Sequence, residues 1–362
     1  MRSGILAIAT VGLLAAGGLT GCGGDPDDDP ARPRPKIGVI LPDSASSNRW
    51  EAADRKYLEA AFTAAGVEYD IQNAQNDKAR FVTIAEQMIT NGVTALMITN
   101  LDSGTGRAVL DKATQRGVAT IDYDRPTLGG SAQYYVSFDN VAVGRLQGEG
   151  LVRCLAEKGT RKPVVAELNG APTDNNAAEL KSGYDAVLQP RYDARDYVKG
   201  PDQSVPEWNN TTGGTIFEQM LTQTGGRIDG VLTANDGLAN AVISVLTKNK
   251  LNGKVPVTGQ DADAQALQHI LAGDQCMTVY KPIRKQAEVA AALAVALARG
   301  ERRQTEHTFH DTTGNRDVPA VLLTAQPITR ETVKDVIADG FVERDAVCTG
   351  RYAALCAANG VS

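Results

Sequence analysis

Aromatic residues are scarce in this sequence. They make up 5% of its 362 residues, and the tryptophans among them are Trp50 and Trp208. The sequence also has no large excess of charge of one sign, because it contains 37 lysines and arginines and 43 acidic residues, for a net charge of -6. With 42% apolar residues, this composition excludes an intrinsically disordered chain and a nucleic-acid binder that depends on bulk charge. The length is sufficient for two globular domains.

The sequence also lacks the motifs of common catalytic and cofactor sites. It contains no G-x-x-x-x-G-K-[ST] loop and no G-x-S-x-G elbow, and no G-x-G-x-x-G follows the first predicted strand. His269, His307 and His310 have no metal-ligand spacing, and no two cysteines have C-x-x-C spacing. We therefore predict no cofactor and no metal site. Gly144 and Gly148 indicate close helix packing instead, since they lie four residues apart in a helical pattern.

The N-terminal residues predict export. A short basic start is followed by an apolar run that ends in Leu-Thr-Gly-Cys at residues 19–22. This pattern indicates a signal peptide at residues 1–21. Residues 19–22 resemble a bacterial lipobox, which implies a lipid anchor on Cys22, followed by a flexible tether up to residue 35. A plain secretory signal with an incidental cysteine is the alternative. The lipidated form would place the protein on the outer face of the cytoplasmic membrane, at the cell surface or the periplasmic side.

Four cysteines remain after Cys22, an even number that suits an oxidising compartment. Four cysteines allow three pairings. Proximity in the sequence favours a Cys348–Cys356 bond, which leaves Cys154–Cys276 as the second bond. Free buried thiols are the alternative, above all for Cys154, which lies in an apolar helical pattern.

From residue 36 onward, short β-branched runs alternate with helical patterns. The predicted strands are 36–41, 70–74, 94–99, 118–123 and 134–138, and then 164–168, 194–198, 230–233, 255–259 and 277–280. Strands that alternate with helices over such short distances imply parallel sheets. Two similar series in tandem predict an α/β protein with two doubly wound lobes.

Polar residues follow the predicted strands. In open α/β sheets, ligands bind beyond the carboxyl ends of the strands, so these residues are candidates for a site. They include Asp43, Asn100, Asp102, Asp124, Arg125, Asp139, Asn140, Asn169, Asn235, Asp236, Gln260, Asp261 and Lys281.

These residue types suit a sugar. Carboxylates and amides accept hydrogen bonds from sugar hydroxyls, while arginine and lysine donate to them. The apolar face of a sugar ring packs on an aromatic side chain, for which Trp50 and Trp208 are the candidates. A pair of carboxylates for glycoside hydrolysis is disfavoured, because nearby arginine and lysine lower the pKa that a general acid needs raised.

Several segments together resemble the xylose-binding branch of periplasmic sugar-binding proteins. The resemblance extends in order from Lys36 to about Glu343. Its segments are Arg49-Trp50, Tyr123-Asp124-Arg125-Pro126, Val136 to Asn140 with Gly144, Asp174 to Ala177, Ala234-Asn235-Asp236, Gly259 to Asp263 and Met277 to Pro282.

The resemblance implies a type I periplasmic-binding-protein fold, with two lobes joined by a multi-strand hinge. The N-terminal lobe would comprise residues 36–138 and about 283–316, and the C-terminal lobe residues 139–282 and about 317–362. Such a protein closes on a monosaccharide, here D-xylose or a related aldose, delivers it to the permease of an ABC importer and is a monomer. The implied ligand-binding residues are Arg49, Trp50, Asp124, Arg125, Asp174, Asn176, Trp208, Asn235, Asp261 and Lys281. The chain differs from the family pattern at residues 44–48 and 202–204, two segments that bear on which sugar is bound.

Other functions are compatible with parts of this pattern. A sugar sensor would present the same bound ligand to a membrane receptor. An extracellular glycosidase would need one carboxylate with a raised pKa. A transcription regulator of the LacI type has a similar fold, but it needs a helix-turn-helix where this chain has its predicted signal peptide and tether. We therefore predict a binding protein rather than an enzyme, with no nucleic-acid partner.

Overall fold

Strands and helices alternate along the chain, as the sequence predicts. The computed structural model describes residues 34–361. The predicted signal peptide, Cys22 and most of the predicted tether lie outside the described residues. Residues 35–361 belong to one compact unit. Among the helices in the described range, none combines the length and apolar character needed to cross a bilayer.

The elements are numbered along the chain. The strands are β1 (Lys36–Leu41), β2 (Glu68–Asn73), β3 (Ala95–Ile98), β4 (Ala119–Tyr123), β5 (Tyr134–Phe138), β6 (Val164–Asn169), β7 (Val198–Ser204), β8 (Gly230–Thr233), β9 (Thr278–Tyr280), β10 (His307–Asp311), β11 (Arg316–Leu323) and β12 (Gln326–Ile328). The helices are α1 (Arg55–Ala64), α2 (Lys78–Thr90), α3 (Ser103–Gln115), α4 (Asn140–Glu157), α5 (Asn175–Asp193), α6 (Asn210–Gln223), α7 (Asp236–Lys248), α8 (Ala264–Ala272), α9 (Ile283–Ala298), α10 (Val333–Ala338), α11 (Arg344–Val347) and α12 (Tyr352–Ala358). A π-helical turn, Trp50–Asp54, precedes α1, and a 3-10 turn, Pro206–Trp208, precedes α6.

The first lobe contains a seven-stranded sheet in the order β10-β11-β5-β4-β3-β1-β2. β10 and β11 are antiparallel, and the other neighbours are parallel. In β1, Val39 packs in a cluster with residues of α1 and α9, whereas Ile40 packs in a second cluster with α2 and α3. Helices therefore cover both faces of this sheet, which explains why β1 has no polar residue from Ile37 to Leu41.

The second lobe contains three parallel strands in the order β7-β6-β8 and an antiparallel pair, β9 and β12. The predicted strand at 255–259 contributes one bridge, between Val231 and Val257. The predicted strand at 194–198 is wrong, because α5 continues to Asp193 and the strand, β7, starts at Val198. β7 is an edge strand with mostly polar residues, so it lacks the apolar signal of a buried strand. The predicted fold class, α/β with parallel sheets, is confirmed.

The chain passes between the lobes three times. It leaves the first sheet after β5 and enters α4, and it returns after β9 into α9, which packs against α1, β3 and β4. The third passage was expected at about residue 317. It lies after Leu323 instead, because residues Ala320–Leu323 of β11 pair with β5 in the first sheet.

Helices α4 and α5 pack closely, as the glycine spacing predicts. A Cβ atom on Gly144 would overlap the carbonyl oxygen of Leu180, and one on Gly183 would overlap that of Val141. Glycine is required on both helices, since no side chain fits between the two backbones. The start of α5 is thereby fixed beside the end of β5.

Both predicted disulfide bonds are present. Cys154 in α4 is bonded to Cys276, just before β9, with their Cα atoms 6.4 Å apart. Cys348 and Cys356, with Cα atoms 5.8 Å apart, join the end of α11 to α12. These two helices and α10 pack against α8 of the second lobe.

Candidate functional site

All ten residues predicted for the site surround one cavity between the lobes. Its volume is about 30 Å³, room for one or two water molecules. The lining residues are Arg49, Trp50, Asp124, Arg125, Asp174, Asn176, Trp208, Asn235, Asp261 and Lys281, together with Ser46, Ser47, Asn140, Leu180 and Gln260. They follow the carboxyl ends of the strands in both sheets, where open α/β sheets bind ligands.

Arg49 is held by the π-helical turn that follows it. The backbone N–H of Arg55 donates to the carbonyl of Trp50, the five-residue spacing of a π-helix. Asp54 lies five residues after Arg49 and accepts from Nε at 2.9 Å and from Nη2 at 2.8 Å. The turn thus brings a buried carboxylate onto the guanidinium, and π-helical turns are frequent at functional sites.

Arg49 also forms an ion pair with Asp124 across the first lobe. Its Nη1 donates to Oδ2 of Asp124 at 3.0 Å. Burial opposes the charge of Asp124, but Arg49, Lys281 and Arg125 outweigh burial and lower the pKa of Asp124 to about 2. This carboxyl is therefore ionised at neutral pH.

A second ion pair connects the two lobes. Arg125 Nε lies 2.9 Å from Oδ2 of Asp174, and the indole Nε1 of Trp208 donates to the same oxygen at 3.1 Å. Oδ1 of Asp174 accepts from the backbone N–H of Asn176 at the start of α5. Asp174 is therefore both the cap of a helix and part of the cavity wall. Burial raises its pKa, despite the opposing effect of Arg125.

A third ion pair lies in the second lobe. Lys281 Nζ is 3.0 Å from Oδ1 of Asp261, and both side chains are almost fully buried. Oδ2 of Asp261 accepts from the Ser47 hydroxyl at 2.9 Å, which joins it to the first lobe. The three cations of the lining residues thus each face a carboxylate of the cavity wall, and Arg49 faces Asp54 as well.

The two tryptophans are parts of the cavity wall and of the core at the same time. Trp50 and Trp208 are 3% and 6% exposed. The Arg49 guanidinium lies 4.3 Å from the ring centroid of Trp50. A Cβ atom on Gly170 would overlap the Trp208 ring, so this glycine sets the depth at which the indole lies.

Amide side chains add further contacts between the lobes. Asn176 Nδ2 donates to the carbonyl of Asp124 at 2.8 Å, and Asn235 Nδ2 donates to the carbonyl of Ser46 at 3.1 Å. Asn210 donates in the same way to Ala45 at 2.8 Å. The lobes are therefore in direct contact around the cavity.

Further residues of the site lie outside the ligand-binding set that the resemblance implies, although Gln260 and Asn140 were candidates because they follow predicted strands. Ser46, Ser47 and Gln260 line the cavity. Asp54 and Gln286 lie behind the cavity and bind Arg49. Asp54 lies in the π-helical turn and Gln286 in α9, where nothing in the sequence distinguishes them from other core positions.

The arrangement suits binding rather than acid–base catalysis. The expected lowering of carboxylate pKa by nearby cations holds for Asp124 but is wrong for Asp174, whose burial outweighs Arg125. Asp174 is nevertheless bound by Arg125, Trp208 and a backbone N–H, so its oxygens are engaged as acceptors. Within residues 34–361, no cluster of three or more His, Cys, Asp or Glu could hold a metal ion.

Comparison with known proteins agrees with this geometry. Residues 37–302 match the family described as "Periplasmic binding protein domain". The D-xylose-binding periplasmic protein of Escherichia coli (strain K12) is 34% identical over 307 residues, which cover 84% of this chain and 90% of that protein. The multiple sugar-binding periplasmic protein SbpA of Azospirillum brasilense is 32% identical, with coverage of 85% and 90%.

Solved structures show the same relationship. The crystal structure of an ABC transporter solute binding protein from Clostridium phytofermentans with bound β-D-glucose has a TM-score of 0.79 at 28% identity. The match covers 86% of this chain and 99% of that one. These findings confirm the predicted fold and the prediction of a binding protein rather than an enzyme, and they imply an exported, extracytoplasmic protein. The chain belongs to the periplasmic binding protein family.

Proposed function

We propose that the protein captures a neutral monosaccharide, D-xylose or a related aldose, between its two lobes and delivers it to an ABC importer. The observation that carries the proposal is the cavity itself. It is lined by both tryptophans, by three arginine or lysine side chains and by three carboxylates, at the strand ends of both lobes. Relatives with similar sequences are named as xylose-binding and multiple sugar-binding proteins, which supports the same class of ligand.

The charges of the cavity favour a neutral sugar. Arg49 pairs with Asp124, Arg125 with Asp174, and Lys281 with Asp261. A uronic acid would add a carboxylate, and an amino sugar would add an ammonium group, in a buried site whose lining arginine and lysine side chains are already paired with carboxylates. An unpaired buried charge is costly, whereas hydroxyls can exchange hydrogen bonds with the existing pairs.

Binding requires that the lobes and their side chains rearrange. A cavity of about 30 Å³ is far smaller than a sugar ring, because side chains of the two lobes contact each other directly. Sugar hydroxyls would replace contacts such as Ser47 to Asp261 and Arg125 to Asp174. The ligand thus takes over part of the hydrogen bonding that holds the lobes together.

A panel of sugars tests the proposal. We expect D-xylose, D-glucose or a related aldose to raise the melting temperature of the chain from Gly23 onward, which contains the whole compact unit. At a concentration 100 times the dissociation constant, the ligand adds about 2.7 kcal/mol, a shift of a few degrees. D-glucuronate and D-glucosamine should give no shift.

Two tryptophan variants provide the control. Trp208→Ala should abolish the shift, whereas Trp208→Phe should retain part of it, since phenylalanine keeps an aromatic face but not the hydrogen bond to Asp174. A folded wild-type chain that responds to none of the neutral sugars would contradict the proposal.

The same proposal includes the location and state of the protein. Anchoring through lipid on Cys22 would keep the binding unit close to the permease, and the family resemblance indicates a monomer. Light scattering of the purified chain, with and without sugar, tests the monomer.

A further inference from the structure

One side chain of the cavity wall has an unused acceptor. Gln260 is 5% exposed and lines the cavity. Its Oε1 atom is buried and accepts no hydrogen bond from the residues that the structure describes. Buried polar side-chain atoms have a partner in the large majority of cases, so an orphaned oxygen on a residue of the cavity wall requires an explanation.

The backbone around Gln260 is fixed, so loose packing does not explain the orphaned oxygen. Its carbonyl accepts from the backbone N–H of Asp236 at 2.9 Å, and the next residue, Asp261, donates to Val279 at 2.9 Å. Gly259 before it leaves no room for a side chain, since a Cβ atom there would lie 2.7 Å from Gln275 Nε2. The carboxamide of Gln260 therefore starts from a well-defined point in the wall.

The neighbour of Gln260 in the chain, Asp261, also has an unsatisfied acceptor, and both residues line the cavity together with Lys281, with which they form one corner of the wall. Oδ1 of Asp261 lies 3.0 Å from Lys281 Nζ as an ion pair, yet no donor has hydrogen-bond geometry to this oxygen in the described part of the chain. The corner therefore presents two acceptors and an ammonium group. A hydroxyl group meets both needs at once, because it donates one hydrogen bond and accepts others.

We propose that Gln260 binds the ligand directly, with its Oε1 accepting a hydrogen bond from a hydroxyl of the sugar in the corner formed with Asp261 and Lys281. The proposal rests on the proposed function and extends it, since it adds a residue that determines which hydroxyl pattern fits. Loss of a hydroxyl at this position would leave the Gln260 oxygen unpaired, so the residue discriminates against deoxy sugars.

The variant Gln260→Leu separates a ligand contact from a structural role. Calorimetry with D-xylose and with D-glucose should show binding weakened at least about fivefold, as expected for loss of one buried hydrogen bond. The melting temperature of the unliganded variant should be unchanged or higher, since an unpaired buried amide is replaced by an apolar side chain of similar size. A structural role would instead lower both the melting temperature and the affinity.

Gln133→Leu is the matched control. Gln133 also has a buried Oε1 without a partner among the described residues, but it lies just before β5 and does not line the cavity. This variant should retain wild-type affinity.

Sugar analogues that each lack one hydroxyl complete the test. One of them should bind the wild-type chain several-fold more weakly than the parent sugar, and this difference should disappear in Gln260→Leu. Wild-type affinity of Gln260→Leu, or a deoxy penalty that persists in it, would overturn the role of Gln260 while leaving the proposed function intact. A wild-type chain that binds no sugar would overturn both.

Discussion

Three residues of the cavity wall have unusual backbone conformations. Asp124, Trp208 and Asp261 have positive φ angles of 66°, 55° and 101°. Residues other than glycine seldom adopt this region, and each such conformation costs about 1–3 kcal/mol. The surroundings hold these residues in place. The Asp124 carbonyl, for example, accepts from Ser137 and Asn176. These contacts fix the direction in which each of the three side chains enters the cavity wall.

Asp236 behind the cavity allows a test of buried charge. Burial, together with nearby Asp263 and Asp261, raises its pKa well above the ordinary value. The folded chain thus holds this proton more tightly than the unfolded chain, whose pKa is about 4. The stability that protonated Asp236 contributes is complete below about pH 4 and is lost as the pH rises through the pKa of Asp236 in the folded chain. We expect Asp236→Asn to equal or exceed the wild-type free energy of unfolding at pH 7.5, with a smaller advantage at pH 5, in urea titrations.

Asp124→Asn is the comparison, because the pKa of Asp124 is shifted in the direction opposite to that of Asp236. The pKa of Asp124 is lowered to about 2, so its contribution is complete above about pH 4 and is lost only as the pH falls toward 2. This variant should lose about 2 kcal/mol at pH 7.5. A comparable loss in Asp236→Asn at pH 7.5 would show that Asp236 is needed in its charged form.

Secondary-structure elements were predicted well where the apolar pattern is strong. β5 was predicted with its observed bounds, and the polar residues after β4 and β9 line the same cavity. β7 was misplaced because an edge strand needs no apolar run, and the π-helical turn at Trp50–Asp54 was missed because no residue pattern marks it. A periodic apolar pattern indicates which residues of an element are buried. The positions of β7 and of the π-helical turn depend instead on contacts with neighbouring elements.

Pairing between distant elements could not be predicted from residue patterns. Ser47 and Asp261 are 214 positions apart and form a hydrogen bond, and Arg49 reaches Gln286 in α9. The family resemblance supplied the ligand-binding set, and the structure brings all of its members to one cavity. It did not supply the partners of each side chain, because these depend on the closed arrangement of both lobes.

The packing of α4 on α5 gives a prediction at the level of elements. Gly144→Ala should lower the free energy of unfolding by about 3 kcal/mol, because the added methyl group meets the rigid backbone at Leu180. Gly214→Ala on α6 is the control. Its nearest neighbour would be Ala241 Cβ at 3.6 Å, so the higher helix propensity of alanine should stabilise it by up to about 1 kcal/mol. Equal stability of the two variants, measured by urea unfolding, would show that α4 and α5 separate readily.

Contacts between the lobes occur at several places around the cavity. Ser47, Asn176, Asn235 and the Arg125–Asp174 pair all join residues of different lobes. Because each contact also involves a residue of the cavity wall, occupancy of the cavity and closure of the molecule are coupled. A sugar that satisfies these groups thereby selects the closed form, the form that a permease would distinguish from the open one.

The predicted lipidation site, Cys22, precedes the compact unit in the sequence. The compact unit begins at Pro35, 13 positions after Cys22. Cys22→Ala in the full chain should therefore shift the protein from the membrane to the soluble fraction of cells without changing its sugar affinity. Gly23→Ala is the control, because it leaves the cysteine in place and should remain in the membrane fraction. Phase partitioning in Triton X-114 and calorimetry measure the two properties. Detergent-phase partitioning of Cys22→Ala would refute the anchor, and a changed affinity would show that the anchor segment contributes to the cavity.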